Sequence, residues 1–168
     1  MNTHEALKHN VISALLFTAL IFPAVALSGP KSPKNVPLKV SLVTQEQVGF
    51  TPDCPSKFGG ILTGTGKGTH MGKVSLAAKD CITPMENSFT FRGTFELTAA
   101  NGDKLTGDYN GSFTPLDIAS MYSLTDASLQ ITGGTGHFSK ATGSAKLTGS
   151  QNIQTGKAKM EADGTISY

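Results

Sequence analysis

The sequence contains no tryptophan, only 15% of its 168 residues are charged, and the formal net charge is +2. The basic residues are scattered, so the chain lacks the positive patch with which proteins bind nucleic acid. Beyond the N-terminal segment the histidines are His70 and His137, and no C-x-x-C or H-x-x-x-H spacing occurs. We therefore expect no nucleic-acid partner, no metal site and no cofactor.

Motifs of catalysis are equally scarce. The stretch "GTGKGT" (Gly64–Thr69) lacks the spacing of a P-loop, and no G-x-S-x-G marks a serine nucleophile. Glu96, Asp108 and Asp126 are carboxylates available for acid–base chemistry, but Glu96 and Asp108 fall on the polar faces of their segments. No residue is predicted to be catalytic.

The N-terminus carries an uncharged apolar run, Val11–Phe22, which follows Lys8 and precedes the tripeptide AVA at 24–26. A basic lead, a short apolar run and an A-x-A end are typical of a secretory signal peptide. The run is shorter than the about 20 residues that a membrane-spanning helix needs, which leaves a retained anchor as the weaker alternative. We predict a signal peptide at residues 1–26, a secreted or periplasmic protein, and no stable membrane insertion after cleavage.

The segment that follows is rich in proline. Ser28–Pro37 has three prolines and little apolar content, which is typical of an exposed leader, placed here at residues 27–37. The remainder, residues 38–168, is long enough for one domain with a sizeable core.

Two cysteines are present, Cys54 and Cys81. In an exported protein a disulfide is the expected state. Closing this loop would stabilise the fold by about 3.5 kcal/mol on the chain-entropy model. Two free thiols are the alternative.

Beyond residue 37, short runs alternate apolar and polar residues, and glycine-rich turns separate them. A period of two is typical of strands. The clearest run is "FTFRGTFEL", in which Phe89, Phe91, Phe95 and Leu97 share one face. Eight candidate strands are indicated, at 38–50, 58–66, 71–80, 88–100, 103–114, 122–132, 143–153 and 157–168.

The loop "AANGDK" joins the fourth and fifth candidate strands, whose apolar residues all have odd numbers. A two-residue loop would pair odd with even positions and turn one apolar set outward, so the loop needs an odd length. Residues 100–102, with Gly102 in the left-handed conformation, satisfy this requirement. The resulting register places Phe91 opposite Gly111, Phe95 opposite Gly107 and Tyr109 opposite Gly93.

Glycines inside strands mark bends or close approaches, and eight antiparallel strands with many such bends favour a closed barrel. We predict an all-β protein with an eight-stranded antiparallel β-barrel, and a two-sheet sandwich is the main alternative. A barrel of this size either fills its interior with side chains or holds one small ligand. The candidate ligand-binding residues are Phe91, Phe95, Leu97, Tyr109, Met160 and Arg92.

The stretch "GGTGHFSKATG" (Gly133–Gly143) resembles the G-G-T-G-x-F-x-x-A-x-G signature of plant dirigent proteins and of the allene oxide cyclase barrel superfamily. "GTGKGTHMGKVSL" (Gly64–Leu76) is similar to a stretch of secreted bacterial proteins with an allene-oxide-cyclase-like domain, and "DGTISY" at 163–168 is similar to the same group. The resemblance covers residues 38–168 and implies an eight-stranded antiparallel barrel.

In that fold the glycine-rich stretch ends one strand, makes a short helical turn, here near residues 135–140, and begins the next strand. The resemblance implies that Phe138 turns inward and plugs one end of the barrel, while His137 and Lys140 stay at the rim. The motif residues are therefore expected to be structural: Gly133, Gly134, Gly136, Phe138 and Gly143.

Members of this superfamily cyclise an unsaturated fatty-acid epoxide or orient phenoxy radicals for coupling, mainly by holding a reactive ligand in a shaped cavity. No pocket motif of either activity occurs here, so no catalytic residue is carried over. We predict a non-catalytic barrel that binds a small apolar ligand or has an extracytoplasmic interaction role, and that forms a homo-oligomer. The alternatives are an allene-oxide-cyclase-like isomerase or cyclase acting on an apolar substrate, and a small outer-membrane β-barrel, against which the few aromatic residues count.

Overall fold

The computed structural model describes residues 34–168, which form one closed barrel of eight antiparallel strands. The strands are β1 (Val36–Phe50), β2 (Phe58–Gly68), β3 (Gly72–Pro84), β4 (Phe89–Ala99), β5 (Lys104–Pro115), β6 (Met121–Gly134), β7 (Thr142–Asn152) and β8 (Lys157–Ser167). Each strand pairs with the next, and β8 pairs with β1. The helical element of these residues is one 3-10 turn, Gly136–Phe138. The predicted all-β barrel is confirmed, and the sandwich alternative is wrong.

Alternation along each strand builds the barrel wall. In β4, Phe91, Phe95 and Leu97 are buried, whereas Arg92 and Thr94 between them are exposed. Burial of a large apolar side chain stabilises the fold by about 1.5–3 kcal/mol, so a one-residue slip that exposed the whole set would be strongly disfavoured. The inward and outward faces are therefore fixed by the sequence pattern.

The β4–β5 hairpin has the predicted register. The Ala99 backbone N–H donates to the Asp103 carbonyl at 2.8 Å, which leaves a three-residue loop at 100–102, and Gly102 has a φ of +89°. The paired positions are Phe91 opposite Gly111, Phe95 opposite Gly107 and Tyr109 opposite Gly93. The odd-length loop thus keeps the apolar residues of both strands on the inner face.

At two of these glycines a side chain would collide with the facing ring. A Cβ atom at Gly107 would lie 2.8 Å from the Phe95 ring, and one at Gly111 would lie 2.8 Å from the Phe91 ring. Each ring therefore rests on bare backbone of the neighbouring strand, which lets the curved wall pack without crowding.

We call the end of the barrel that carries the 3-10 turn the plugged end. Phe138 is only 2% exposed there, and its ring meets the Tyr168 ring edge-on with the centroids 5.1 Å apart. Gly136 has a φ of +55°, which permits the tight path into the turn. His137 and Lys140 are exposed. The helical turn, the inward Phe138 and the two rim residues are thus placed as expected. The other motif glycines, Gly133, Gly134 and Gly143, lie at the end of β6 and the start of β7.

We call the opposite end the disulfide end. Cys54 and Cys81 form a disulfide there, so the prediction is confirmed and the free-thiol alternative is wrong. The bond ties the β1–β2 loop to β3. The loops of this end are 51–57, 85–88, 116–120 and 153–156.

The predicted signal peptide at 1–26 and most of the leader at 27–37 lie outside the described residues. The barrel begins at Val36 rather than at residue 38, because Val36 already pairs with Ile166 of β8. Within residues 34–168, no helix has the length and apolar character needed to cross a membrane.

Candidate functional site

Four buried polar side chains and one tyrosine face the barrel interior, and we call them the interior polar cluster. Thr44 and Glu46 belong to β1, Asp80 to β3, Tyr109 to β5 and Gln151 to β7. The four polar side chains other than Tyr109 are each at most 7% exposed. All but the tyrosine stand in the part of their strand nearer the disulfide end. The cluster therefore lies mostly towards the disulfide end of an otherwise apolar core.

Asp80 has a hydrogen-bond donor on each carboxylate oxygen. The Tyr109 hydroxyl donates to Oδ2 at 2.8 Å, and the Gly60 backbone N–H donates to Oδ1 at 3.1 Å. Burial, together with the neighbouring Glu46 carboxylate, raises the pKa of Asp80 to about 7, although both hydrogen bonds lower it. Burial and the Asp80 charge also raise the pKa of Tyr109, so the phenol remains a donor.

Glu46 is less completely paired. Gln151 Nε2 donates to Glu46 Oε2. Within residues 34–168, Glu46 Oε1, Gln151 Oε1 and Thr44 Oγ1 have no hydrogen-bond partner. Burial raises the pKa of Glu46, and the bond from Gln151 opposes that rise. Because a buried polar atom without a partner costs about 1–3 kcal/mol, three such atoms together require an explanation.

The two carboxylates of the cluster meet above Gly60. A Cβ atom at this position would lie 2.9 Å from Asp80 Oδ1 and closer still to Glu46 Oε1. Among the described residues no salt bridge involves Glu46 or Asp80. Their repulsion is therefore not offset by a basic side chain of the described barrel.

An apolar cavity of about 50 Å³ lies beside the cluster. Its wall includes Leu42, which stands two residues before Thr44, and Leu62, which pairs with Glu46. Tyr109 also lines the cavity, while its hydroxyl belongs to the polar cluster. The cavity therefore lies next to the cluster, and Tyr109 belongs to both.

The structure brings four of the predicted ligand-binding residues to the cavity wall: Phe95, Leu97, Tyr109 and Met160. Phe91 is buried instead in a smaller apolar cluster that it forms with Phe113 and others. Arg92 is exposed on the outer face, because its even-numbered position in β4 points away from the interior. Phe91 and Arg92 therefore do not line the cavity, and ligand binding by the six residues stays a prediction.

The carboxylates that the sequence offered for acid–base chemistry lie outside this site. Glu96 Oε1 is 2.9 Å from Lys104 Nζ on the outer surface, and Asp108 is exposed. Asp126 is exposed at an irregularity of β6, where its φ is +49°. None of these carboxylates faces the interior.

The disulfide lies next to the cluster, because Cys81 directly follows Asp80. It therefore fixes the strand that presents this carboxylate. No group of three or more His, Cys, Asp or Glu side chains in residues 34–168 is arranged to hold a metal ion.

Sequence reasoning missed Thr44, Glu46, Asp80 and Gln151. The signal was nevertheless present, since Asp80 continues the alternating series of inward residues formed by Val74, Leu76, Ala78 and Ile82. A charged residue in the apolar phase of a strand predicts a buried polar site, and Glu46 follows the same rule in β1.

Neither a protein-family model nor a curated protein matches this chain. The resemblance to the allene oxide cyclase and dirigent barrels therefore stays a prediction. The site itself defines the protein as a closed β-barrel with an acidic cluster beside an apolar cavity.

Proposed function

We propose that this chain is an extracytoplasmic barrel that binds a small, mostly apolar molecule in its interior. The observation that carries the proposal is an apolar cavity whose lining includes Tyr109, the side chain that donates a hydrogen bond to Asp80. Ligand sites commonly combine an apolar lining with a few fixed polar groups that orient the ligand.

The size of the cavity limits the ligand. Its volume of about 50 Å³ is far below the about 300–1,000 Å³ of sites for drug-sized molecules. An engineered apolar cavity of about 150 Å³ takes up benzene or xenon. The ligand is therefore expected to have few non-hydrogen atoms.

The disulfide supports the extracytoplasmic part of the proposal. Such bonds persist in oxidising compartments and are rare in the cytosol of most cells. The Cys54–Cys81 bond agrees in this respect with the predicted signal peptide at residues 1–26.

An isomerase or cyclase is the second candidate, and one observation favours it. Tyr109 connects the cavity to Asp80, whose pKa of about 7 suits a general acid or base at neutral pH. The small cavity nevertheless argues against a long fatty-acid epoxide as substrate. Both Asp80 oxygens also already accept hydrogen bonds, so binding ranks above catalysis.

The outer face supports a barrel surrounded by water rather than by lipid. The outward positions of β8 are Lys157, Lys159, Glu161 and Asp163, and all are exposed. A transmembrane barrel instead carries an outward apolar band about 25 Å tall. The outer-membrane alternative is therefore not proposed.

Two measurements test the binding proposal. Native mass spectrometry of the exported protein is expected to show a bound small mass that denaturation releases, and the same spectrum gives the subunit number. Xenon added to ligand-free protein is expected to shift the NMR signals of the Leu62 and Leu129 methyl groups, which line the cavity.

A cavity-filling variant provides the control. Ala78 lines the cavity, so Ala78→Leu is expected to abolish both the xenon shifts and the bound mass. Ala77→Leu is the matched variant, because Ala77 is the adjacent residue but is exposed on the outer face. Wild-type protein without xenon shifts, or equal shifts in both variants, would contradict the proposal. Chemical conversion of the bound molecule on incubation would favour the enzyme.

A further inference from the structure

Resting on the proposed function, we infer that the ligand carries a protonated amine, which is held by Thr44, Glu46 and Gln151 while its apolar part fills the cavity. The amine is identified by three unpaired oxygens on neighbouring side chains of the inner wall. The inferred ligand is therefore a small amphipathic cation.

The three oxygens belong to deeply buried side chains. Glu46 is 7% exposed, and Thr44 and Gln151 are each 3% exposed. Glu46 Oε1, Gln151 Oε1 and Thr44 Oγ1 nevertheless lack a partner among the described residues. All three atoms can accept a hydrogen bond. Gln151 Oε1 can only accept, and Glu46 Oε1 can only accept when Glu46 is ionised.

The strand register places the three side chains close together. Thr44 of β1 and Gln151 of β7 both pair with Ala158 of β8, so they flank the same position. Glu46 is the next inward residue of β1, and it already accepts a hydrogen bond from Gln151. The three side chains therefore line one patch of the inner wall.

An ammonium group matches this patch in the number of its hydrogen-bond donors and in the sign of its charge. It offers three N–H donors and no acceptor, as the lysine head group does. An alcohol offers one donor, and a carboxylate would face three acceptors of like polarity. A charged donor also strengthens each hydrogen bond to a carboxylate.

Charge within the cluster points the same way. Glu46 and Asp80 face each other above Gly60, with no salt bridge to either in the described barrel. A cation beside Glu46 would offset the repulsion between the two carboxylates. Asp80 is already bonded at both oxygens, so Glu46 is the open member that receives the ligand.

The amine site adjoins two residues of the cavity wall. Leu42 and Leu62 line the cavity, and they are the inward neighbours of Thr44 and Glu46 along β1 and across to β2. A short alkyl chain attached to the ammonium group would therefore enter the apolar space directly.

The test compares four-carbon probes that differ in the head group. n-Butylamine, n-butanol and butyrate are titrated separately into the ligand-free protein at pH 8, where an alkylamine remains protonated. Calorimetry is expected to show that the amine binds at least about tenfold more tightly than the alcohol, and that butyrate does not bind. Xenon NMR is recorded on the same samples.

Variants separate charge from packing. Glu46→Gln is expected to remove the tenfold advantage of the amine and to leave the xenon shifts intact. Thr44→Val, which keeps the shape of the side chain, is expected to weaken amine binding by about threefold. Glu96→Gln is the matched control, since Glu96 lies on the outer surface with Lys104, and it should bind the amine as the wild type does.

The remaining outcomes are equally distinct. Xenon shifts without any preference for the amine would overturn this inference and leave the binding proposal standing. Ordered water would then be the hydrogen-bond partner of the three oxygens. Stabilisation by Ca²⁺ or Mg²⁺ in place of the amine would overturn it as well. Absence of both amine binding and xenon shifts would overturn the two proposals together.

Discussion

The two ends of the barrel differ in how they are closed and in what they show to solvent. At the plugged end Phe138 fills the interior, and the surface is polar, with His137 Nδ1 only 2.6 Å from Asp103 Oδ2. At the disulfide end a covalent bond holds one loop. Large apolar side chains are exposed around that end: Val48, Phe50, Met85, Leu116, Ile118 and Ile153.

The side chains that pack the core and those proposed to bind the ligand therefore differ in their position along the barrel axis. Ordinary apolar packing closes the plugged end, and among the described residues no buried side-chain oxygen or nitrogen there lacks a hydrogen-bond partner. Three unpaired oxygens instead stand in the part of the core nearer the disulfide end. We therefore expect loss of the Phe138 plug to lower stability most, and substitutions of the polar side chains nearer the disulfide end to change the chemistry of the interior.

The largest effect is expected from Phe138→Ala. Removal of a buried ring leaves a void at the plugged end and should cost about 3–5 kcal/mol of unfolding free energy. Urea denaturation followed by circular dichroism measures it. Phe50→Ala is the control at the other end, because Phe50 is 79% exposed, and it should change stability by less than about 0.5 kcal/mol. Similar losses in both variants would refute the contrast between the ends.

Removal of the disulfide should have the next largest effect. The double substitution Cys54→Ser and Cys81→Ser opens a loop with a sequence separation of 27 and should cost about 3.5 kcal/mol, because the unfolded chain gains freedom. The same urea experiment measures the loss. Wild-type protein treated with a reductant should reproduce it, and an unchanged midpoint in both samples would contradict the expectation.

Gly60→Ala should have a moderate effect on the interior. Its Cβ would press on the carboxylates of Asp80 and Glu46, and such crowding costs about 2 kcal/mol. Gly49→Ala is the matched control, because a Cβ there would have no atom within 4 Å, and it should be neutral or stabilising by up to about 0.5 kcal/mol. Thermal melts of the two variants make the comparison, and equal melting temperatures would argue against the crowded carboxylates.

The smallest effect concerns pH. Asp80 has a pKa of about 7 in the folded chain against 3.8 for the free group, so folding favours its protonated form. This contribution to stability is fully present below pH 4 and is lost as the pH rises through 7. Asp80→Asn should reduce the fall in stability between pH 5 and pH 8 by on the order of 1 kcal/mol. Melting temperatures across that range measure the slope, and an identical slope in the variant would contradict the assignment.

Much of the fold could be predicted from local pattern. The alternation in β4 and β5 and the odd length of the loop at 100–102 were enough to fix which residues face each other. Register follows from such patterns because a slip of one residue exposes every apolar side chain at once. The start of β1 could not be located in this way, because Val36 is held by Ile166 of a distant strand.

The candidate site was predictable only in its apolar half. Tyr109 and Phe95 line the cavity, and their inward phase in β5 and β4 could be predicted from the alternation of apolar residues. Glu46 and Gln151 come from strands far apart in the sequence, and only closure of the barrel brings them together. Their partnership depends on tertiary register that no single segment encodes.

The ring of strands is completed by residues that are far apart in the chain, as the bond from the Asn35 backbone N–H to Ser167 Oγ at 2.9 Å across a separation of 132 shows. β8 is the last of the eight strands to be synthesised, and it pairs with both β1 and β7. Until β8 emerges, β1 and β7 each keep one edge without a hydrogen-bonding partner. The barrel cannot close before its eighth strand has been synthesised. Until then, folding depends on these two edges not pairing with strands of another chain.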